Sequence, residues 1–154
     1  MDSKDLQKFL EENSIAAQLH RFPSPVRTAI EAQAAIGNSE ITLAKTLVID
    51  VADQTILVVL PVAKRVSEKA LASQFSIPRS KVSMCRAERI LELTGFPAGG
   101  VPPIGHIVQM RTILDEALVS HGRLFLGGGD EYSLLEITPK ELIRAARAQT
   151  SRFD

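Results

Sequence analysis

Apolar residues recur at helical spacing from the first residues onward. In "SKDLQKFLEEN" Leu6, Phe9 and Leu10 share one face, Ser3 is placed to cap it, and Asn13-Ser14 end it. "IAAQLHRF" then reads as a short strand stopped by Pro23. Thr28 and Glu31 make a T-x-x-E capping box at the head of "TAIEAQAAIG", and Gly37 supplies the stop. The strongest β pattern follows. "LAKTLVIDV" and "TILVVLPV" are rich in β-branched residues and separated by "ADQ", which predicts an antiparallel hairpin. Neither arm alternates cleanly, so both faces are expected to be covered.

Beyond the hairpin, Ser67 heads a helix, "SEKALASQF", with Ala70, Leu71 and Phe75 inward. "KVSM" is a short strand, and "AERILELTG" is a helix closed by Gly95. After a Gly/Pro-dense stretch, "HIVQM" is expected to resume as a strand, and "RTILDEALVSHG" reads as strand or helical turn. "RLFLGGGDEYSLLEI" predicts a second hairpin. In "TPKELIRAARAQ" Thr138 caps, Pro139 takes the first helical position and Glu141 completes a capping box. The tail "TSRFD" is expected to fray. No repeat or low-complexity tract divides the chain, so residues 1–154 read as a single α/β domain around a mixed sheet or barrel.

Composition narrows the function classes. The chain has 18 Lys+Arg and 18 Asp+Glu, so global charge does not select nucleic acid as a partner. Charge is uneven, however: residues 64–89 carry seven basic side chains against two acids. On charge alone that stretch reads as a solvated face. The single cysteine, Cys85, rules out an internal disulfide and a multi-cysteine metal site, suits a reducing cytoplasm, and reads as a packing thiol. The opening residues lack the pattern of a signal peptide, and the longest apolar run is too short to span a bilayer.

No catalytic signature is present: no G-x-S-x-G, H-E-x-x-H, Walker A or dinucleotide fingerprint. His20, His106 and His121 are scattered and read as surface or packing residues. Lys45 stands out, because in "ITLAKTLVIDV" it is at the start of the most apolar strand. It has two readings: a lysine snorkelling to the strand end, or a cation at a pocket mouth that binds a phosphate or carbonyl oxygen. The stretch "TGFPAGGVPPIGH" also has two, a slack linker or a backbone shaped around a ligand. Structured segments flank it closely and its prolines stiffen what its glycines loosen, which favours the second. A side chain added at Gly100 is then expected to block the ligand and leave the fold intact. Gly127-Gly128-Gly129 reads first as a hairpin turn.

Taken in order, "AKTLVI", "LVVLPVAKRVSEKALA", "TGFPAGGVPPIGH" and "LFLGGGDEYSLLEITPKEL" resemble the YbaK/ProRS-associated domain family, over about residues 15–147. The resemblance implies a mixed, barrel-like sheet with flanking helices, similar to the editing domain of bacterial prolyl-tRNA synthetases. It implies a metal-free and cofactor-free aminoacyl-tRNA deacylase acting on mischarged tRNA, such as cysteinyl- or alanyl-tRNA for proline. Prolyl-tRNA synthetase or other translation factors are implied as further partners, in the cytoplasm and not at a membrane.

By position, Lys45 would contact the terminal phosphate or the ester. Gly99, Gly100, Val101 and Pro102 would form a backbone wall for the aminoacyl ester, with Gly127, Gly128 and Gly129 opposite. Where many relatives have a basic residue, this chain has Asp130 and Glu131, which would alter the hold on the tRNA end or supply a water-orienting carboxylate. Phe22, His20 and Thr28 lie where the family lines its amino-acid pocket. The resemblance also recasts residues 64–89, with the basic residues of the last helix, as a tRNA-facing surface whose binding would be salt-sensitive. A binding module of the same fold, without turnover, is the alternative.

Overall fold

The computed structural model describes residues 1–38 and 41–153. Helix α1 (Ser3–Glu12) is followed by β1 (Ala17–Arg21), α2 (Ala29–Ile36) and the long hairpin β2 (Thr42–Val51) and β3 (Gln54–Pro61). Then come α3 (Glu68–Gln74), β4 (Val82–Met84), α4 (Ala87–Thr94), β5 (Arg111–Asp115), β6 (Leu124–Gly127), β7 (Ser133–Ile137), α5 (Pro139–Ala146) and β8 (Gln149–Ser151). The strands form a mixed sheet in the order β1-β7-β6-β2-β3-β5-β8, with β4 added beside β2. Both predicted hairpins are antiparallel, whereas β6 joins β2, β5 joins β3, and β8 joins β5 in parallel. The path is open, because no described pair joins β1 to β8.

The unbroken apolar run of β3 has a direct cause. Leu57 and Val59 enter one core with Leu6, Leu10, Phe96 and Leu124. Ile56, Val58 and Leu60 enter a second core with Leu71, Val82 and Phe153. A strand buried on both faces has no polar face to show in its sequence. A third, smaller cluster holds Val26 and Ala32 against Leu134, with Phe22, Leu43 and Phe125 beside them.

Local signals explain most helix ends. Thr28 and Glu31 close the expected box on α2, and Gly37 ends it at φ 73°. Helix α1 departs from expectation: Asp2 rather than Ser3 is its cap, accepting from the amides of Lys4 and Asp5. In α5 Thr138 caps the Glu141 amide, but the Glu141 carboxylate turns to the Ala16 amide at 2.6 Å and to Arg144. The helix is thereby tied to the segment entering β1. These contacts hold Glu141 down at about 2, Arg144 first and the Ala16 amide second.

Two expectations fail. "HIVQM" is not a strand: the Ile107 and Val108 amides donate to the carbonyls at the end of α4, and the strand starts at Arg111. The tail is not frayed through residue 153, because β8 pairs with β5 and Phe153 is buried in the second core. A three-residue polar strand has no pattern of its own, and the ladder supplies its order. A half-buried Lys64 pairs at 2.9 Å with the buried Asp115 carboxylate at the β5 end.

Candidate functional site

Lys45 is the fourth residue of β2, opposite Leu60. Alternation sends Ala44 and Val48 into the first core and Leu43, Lys45 and Leu47 to the other face. On that face Leu43 joins the third cluster and Leu47 the second, so Lys45 stands in the gap between two packed groups. The gap is a cleft of about 260 Å³. Its walls are the start of α2 (Thr28, Ala29, Ala32), the Gly/Pro loop (Ala98, Gly99, Val101) and the β6–β7 hairpin (Gly127, Asp130). Lys45 therefore lines the cleft from within β2. Burial, reinforced by the nearby Arg65 charge, pulls its ammonium below the ordinary lysine value. No described carboxylate pairs with it.

The glycines divide into two kinds. At Gly99 an added Cβ would meet only the Arg27 side chain, at 3.9 Å, so this position faces the open cleft. At Gly100 it would meet the Asp130 Cα and N at 3.0 Å, and at Gly127 the Val101 carbonyl oxygen at 2.7 Å. The Gly/Pro loop and the second glycine turn thus lie backbone against backbone, stitched by the Gly129 amide donating to the Gly100 carbonyl at 2.9 Å. Gly128 has the same constraint against Ser133 and Leu134, within its own hairpin. This corrects the expectation for Gly100: a side chain there would wedge the seam open rather than only fill the cleft.

The seam also decides which amides remain available. Gly100, Gly128 and Gly129 spend theirs on Pro97, Ser133 and Gly100 carbonyls. Those of Ala98, Gly99 and Val101 have no described acceptor, and all three residues line the cleft. Pro102 is buried behind the wall, where its carbonyl accepts from His106 Nε2 at 2.6 Å. That hydrogen bond requires the proton on Nε2. Burial draws the His106 pKa below the ordinary histidine value, against the opposing pull of the Pro102 carbonyl.

Asp130 lines the cleft, yet both its oxygens are occupied: Oδ2 accepts the Ser3 amide at 3.0 Å and Oδ1 the Tyr132 amide at 3.0 Å. Burial works to raise its pKa, and hydrogen bonding by the Ser3 side chain and amide, then by Ser133 and the Tyr132 amide, outweighs that and holds it low. It ties the start of α1 to the hairpin turn. Glu131 pairs with Arg27 at 3.5 Å at the surface. Thr28 lines the cleft, with its hydroxyl engaged as the α2 cap. Phe22 and His20 do not line it. They belong to a separate hollow beyond α2. Sequence reasoning missed Arg27, Ala98 and Thr46, whose hydroxyl is buried without a partner among the described residues. No side-chain pattern marks them, since the fold brings them in. Among the described residues no group of three or more His, Cys, Asp or Glu could hold a metal ion, and no helix is long and apolar enough to cross a membrane.

A family model described as "Aminoacyl-tRNA editing domain" matches residues 23–145, the span holding every wall of this cleft. The chain belongs to the aminoacyl-tRNA editing domain family. Within it, the chain is 32% identical over 122 residues to the uncharacterized protein YwhH of Bacillus subtilis (strain 168), covering 79% of this chain and 76% of that one. It is similar in structure to a protein assigned provisionally as a trans-editing enzyme for prolyl tRNA synthetase. That match has a TM-score of 0.89 and 29% identity over 99% of this chain and 96% of the other. The hypothetical protein APE2540 matches at a TM-score of 0.85 and 31% identity, over 96% and 97% of the two chains. The mixed sheet with flanking helices expected from the sequence is the fold shared with these neighbours.

Proposed function

We propose that this editing domain is a trans-editing deacylase that hydrolyses the ester of a mischarged aminoacyl-tRNA, cysteinyl- or alanyl-tRNA for proline. The observation that carries the reading is one cleft holding an unpaired Lys45 ammonium and the unused amides of Ala98, Gly99 and Val101. An ester carbonyl there meets donors fixed before it arrives, and such donors stabilise the oxyanion of the tetrahedral intermediate. Lys45 holds the terminal phosphate or the ester oxygen. A water oxygen adds to the carbonyl carbon, the bond to the ribose oxygen breaks, and that oxygen leaves with a proton. The products are the free amino acid and uncharged tRNA.

Among the described residues the cleft is lined by one carboxylate, Asp130, whose two oxygens already accept the Ser3 and Tyr132 amides, so we place the part of the base elsewhere. The neighbouring ribose hydroxyl, or a water held by the wall, takes that part, and positioning supplies the rate. The same fact supports a second reading, a module that holds the tRNA end without turnover.

Deacylation of a panel of mischarged tRNAs by wild type and Lys45→Ala tests the proposal. Hydrolysis of one prolyl-family mischarged species, lost in the variant, is expected. No hydrolysis of any species, or an unaffected variant, would refute it. Salt-dependent tRNA binding without hydrolysis would establish the second reading.

A further inference from the structure

The larger hollow beside the cleft, about 640 Å³, has no part in the ester chemistry above. It lies on the Lys45 face of the sheet. Across the ladders Leu43 stands opposite Phe125, Phe125 opposite Glu136, and Leu134 opposite His20, so all of these share the face of Lys45. Helix α2 runs over them, giving Ala32 to the cleft and Ala35 and Ile36 to the hollow, and Phe125 lines both. Those helix positions lie within about 6 Å of one another along the axis. A single nucleotide unit bridges such a gap.

The lining has a definite chemistry. Phe22 and Phe125 offer rings, and His20 lies 5.8 Å from Phe125, centroid to centroid. The Glu136 carboxylate is already spent, on His20 Nε2 at 2.8 Å and on Arg123 at 2.6 Å. Arg123 is 61% exposed, and a guanidinium has more N–H donors than that one contact uses. Among the described residues the hollow therefore presents flat apolar surfaces with guanidinium and imidazole donors, and its one carboxylate, Glu136, is already paired. A cysteine or alanine side chain is far too small to need it.

We propose that this hollow is a nucleobase site for the single-stranded acceptor end of tRNA, stacking a base on Phe22 and Phe125 and holding the adjoining phosphate with Arg123. The site rests on the editing reading for its ligand, and on its own lining for its chemistry. Base–aromatic stacking and an arginine–phosphate contact are the usual elements of single-strand binding.

The test is a fluorescence-anisotropy titration of a labelled 5′-ACCA-3′ RNA with wild type, Phe22→Leu and Arg123→Gln, over a series of salt concentrations. Phe22→Leu keeps an apolar residue in the third cluster, and Arg123 is at the surface, so both variants should fold. Circular dichroism checks this. Saturable binding by wild type is expected, weakened about tenfold in each variant. Arg123→Gln should also lower the salt slope by about one. The loss should be equal for cysteinyl- and alanyl-tRNA. Absent wild-type binding, or equal affinity in all three proteins, would overturn the site. So would a loss that depends on the amino acid, because the hollow would then belong to the aminoacyl pocket. A wild type that binds the RNA as described yet hydrolyses no ester sinks the deacylase reading and leaves the base site standing.

Discussion

Gly99 and Gly100 are neighbours in sequence and opposites in packing, so a single methyl group at each should give contrary results. Neither has a positive φ, which leaves contact as the deciding term. At Gly99 the new Cβ is 3.9 Å from the Arg27 Cδ, an ordinary contact with the stem of an exposed side chain. Gly99→Ala should therefore be as stable as wild type, or more stable by about 0.4–1 kcal/mol through its stiffer unfolded chain. At Gly100 the Cβ would lie 3.0 Å from the Asp130 Cα and N and 3.1 Å from the Gly129 carbonyl carbon. All three are backbone atoms, and Asp130 is fastened to Ser3, so none can swing aside. The two loops must part by a few tenths of an ångström, and overpacking of this kind costs about 1–3 kcal/mol. For a chain of this size the melting temperature falls by about 2–12 °C. Urea unfolding followed by circular dichroism reads the difference, with an unchanged m-value required. If Gly100→Ala unfolds at the wild-type midpoint, the backbone seam does not constrain the loops. Gly99→Val, which grows into the cleft, should then abolish deacylation without loss of stability.

Other perturbations reach further from the cleft. Lys64→Met leaves Asp115, 1% exposed, without its ammonium at 2.9 Å, and should cost about 3 kcal/mol in urea unfolding, largely recovered when Asp115 is also replaced by Asn. Glu141 sits at about 2 in the folded chain against 4.5 ordinarily, so its contribution is full above pH 4.5 and is lost as pH falls toward 2. Acid titration of Glu141→Gln should show a shallower stability loss in that window. His106 is lowered from 6.5, so the unfolded chain takes up its proton first and stability falls as pH drops below 6.5. His106→Gln should remove that part of the slope.

Much of the fold could be read from the chain because its signals were local or redundant. The β2–β3 hairpin announced itself by apolar residues on both faces, and Thr28 with Glu31 marked α2 by a box that the structure closes. Where order comes from a partner, the sequence was silent. β8 is three polar residues held by Ile113–Asp115, and the buried Phe153 beyond it anchors a tail expected to fray. Residues 106–110 looked like a strand because Ile107 and Val108 are apolar, yet their amides serve the end of α4 and both side chains are exposed. The site was half legible. Lys45 and the Gly/Pro loop were found as a pair, but composition could not say that Gly99 faces space while Gly100 faces backbone. Nor could it place His20 and Phe22, because their hollow is set by the register of β1 on β7.

That register bears on how the chain assembles in time. Among the described residues β1 pairs with β7 alone, from Ala17 opposite Ile137 to Arg21 opposite Ser133. During synthesis the first strand leaves the ribosome with no partner and waits until nearly the whole domain has emerged. The β2–β3 hairpin closes locally and long before. Folding should therefore begin at that hairpin and end with β1 docking on β7, a non-local closure of the kind that slows folding to milliseconds or longer. The hollow that β1 and β7 build would be the last part of the molecule to exist, while the Lys45 strand is among the first.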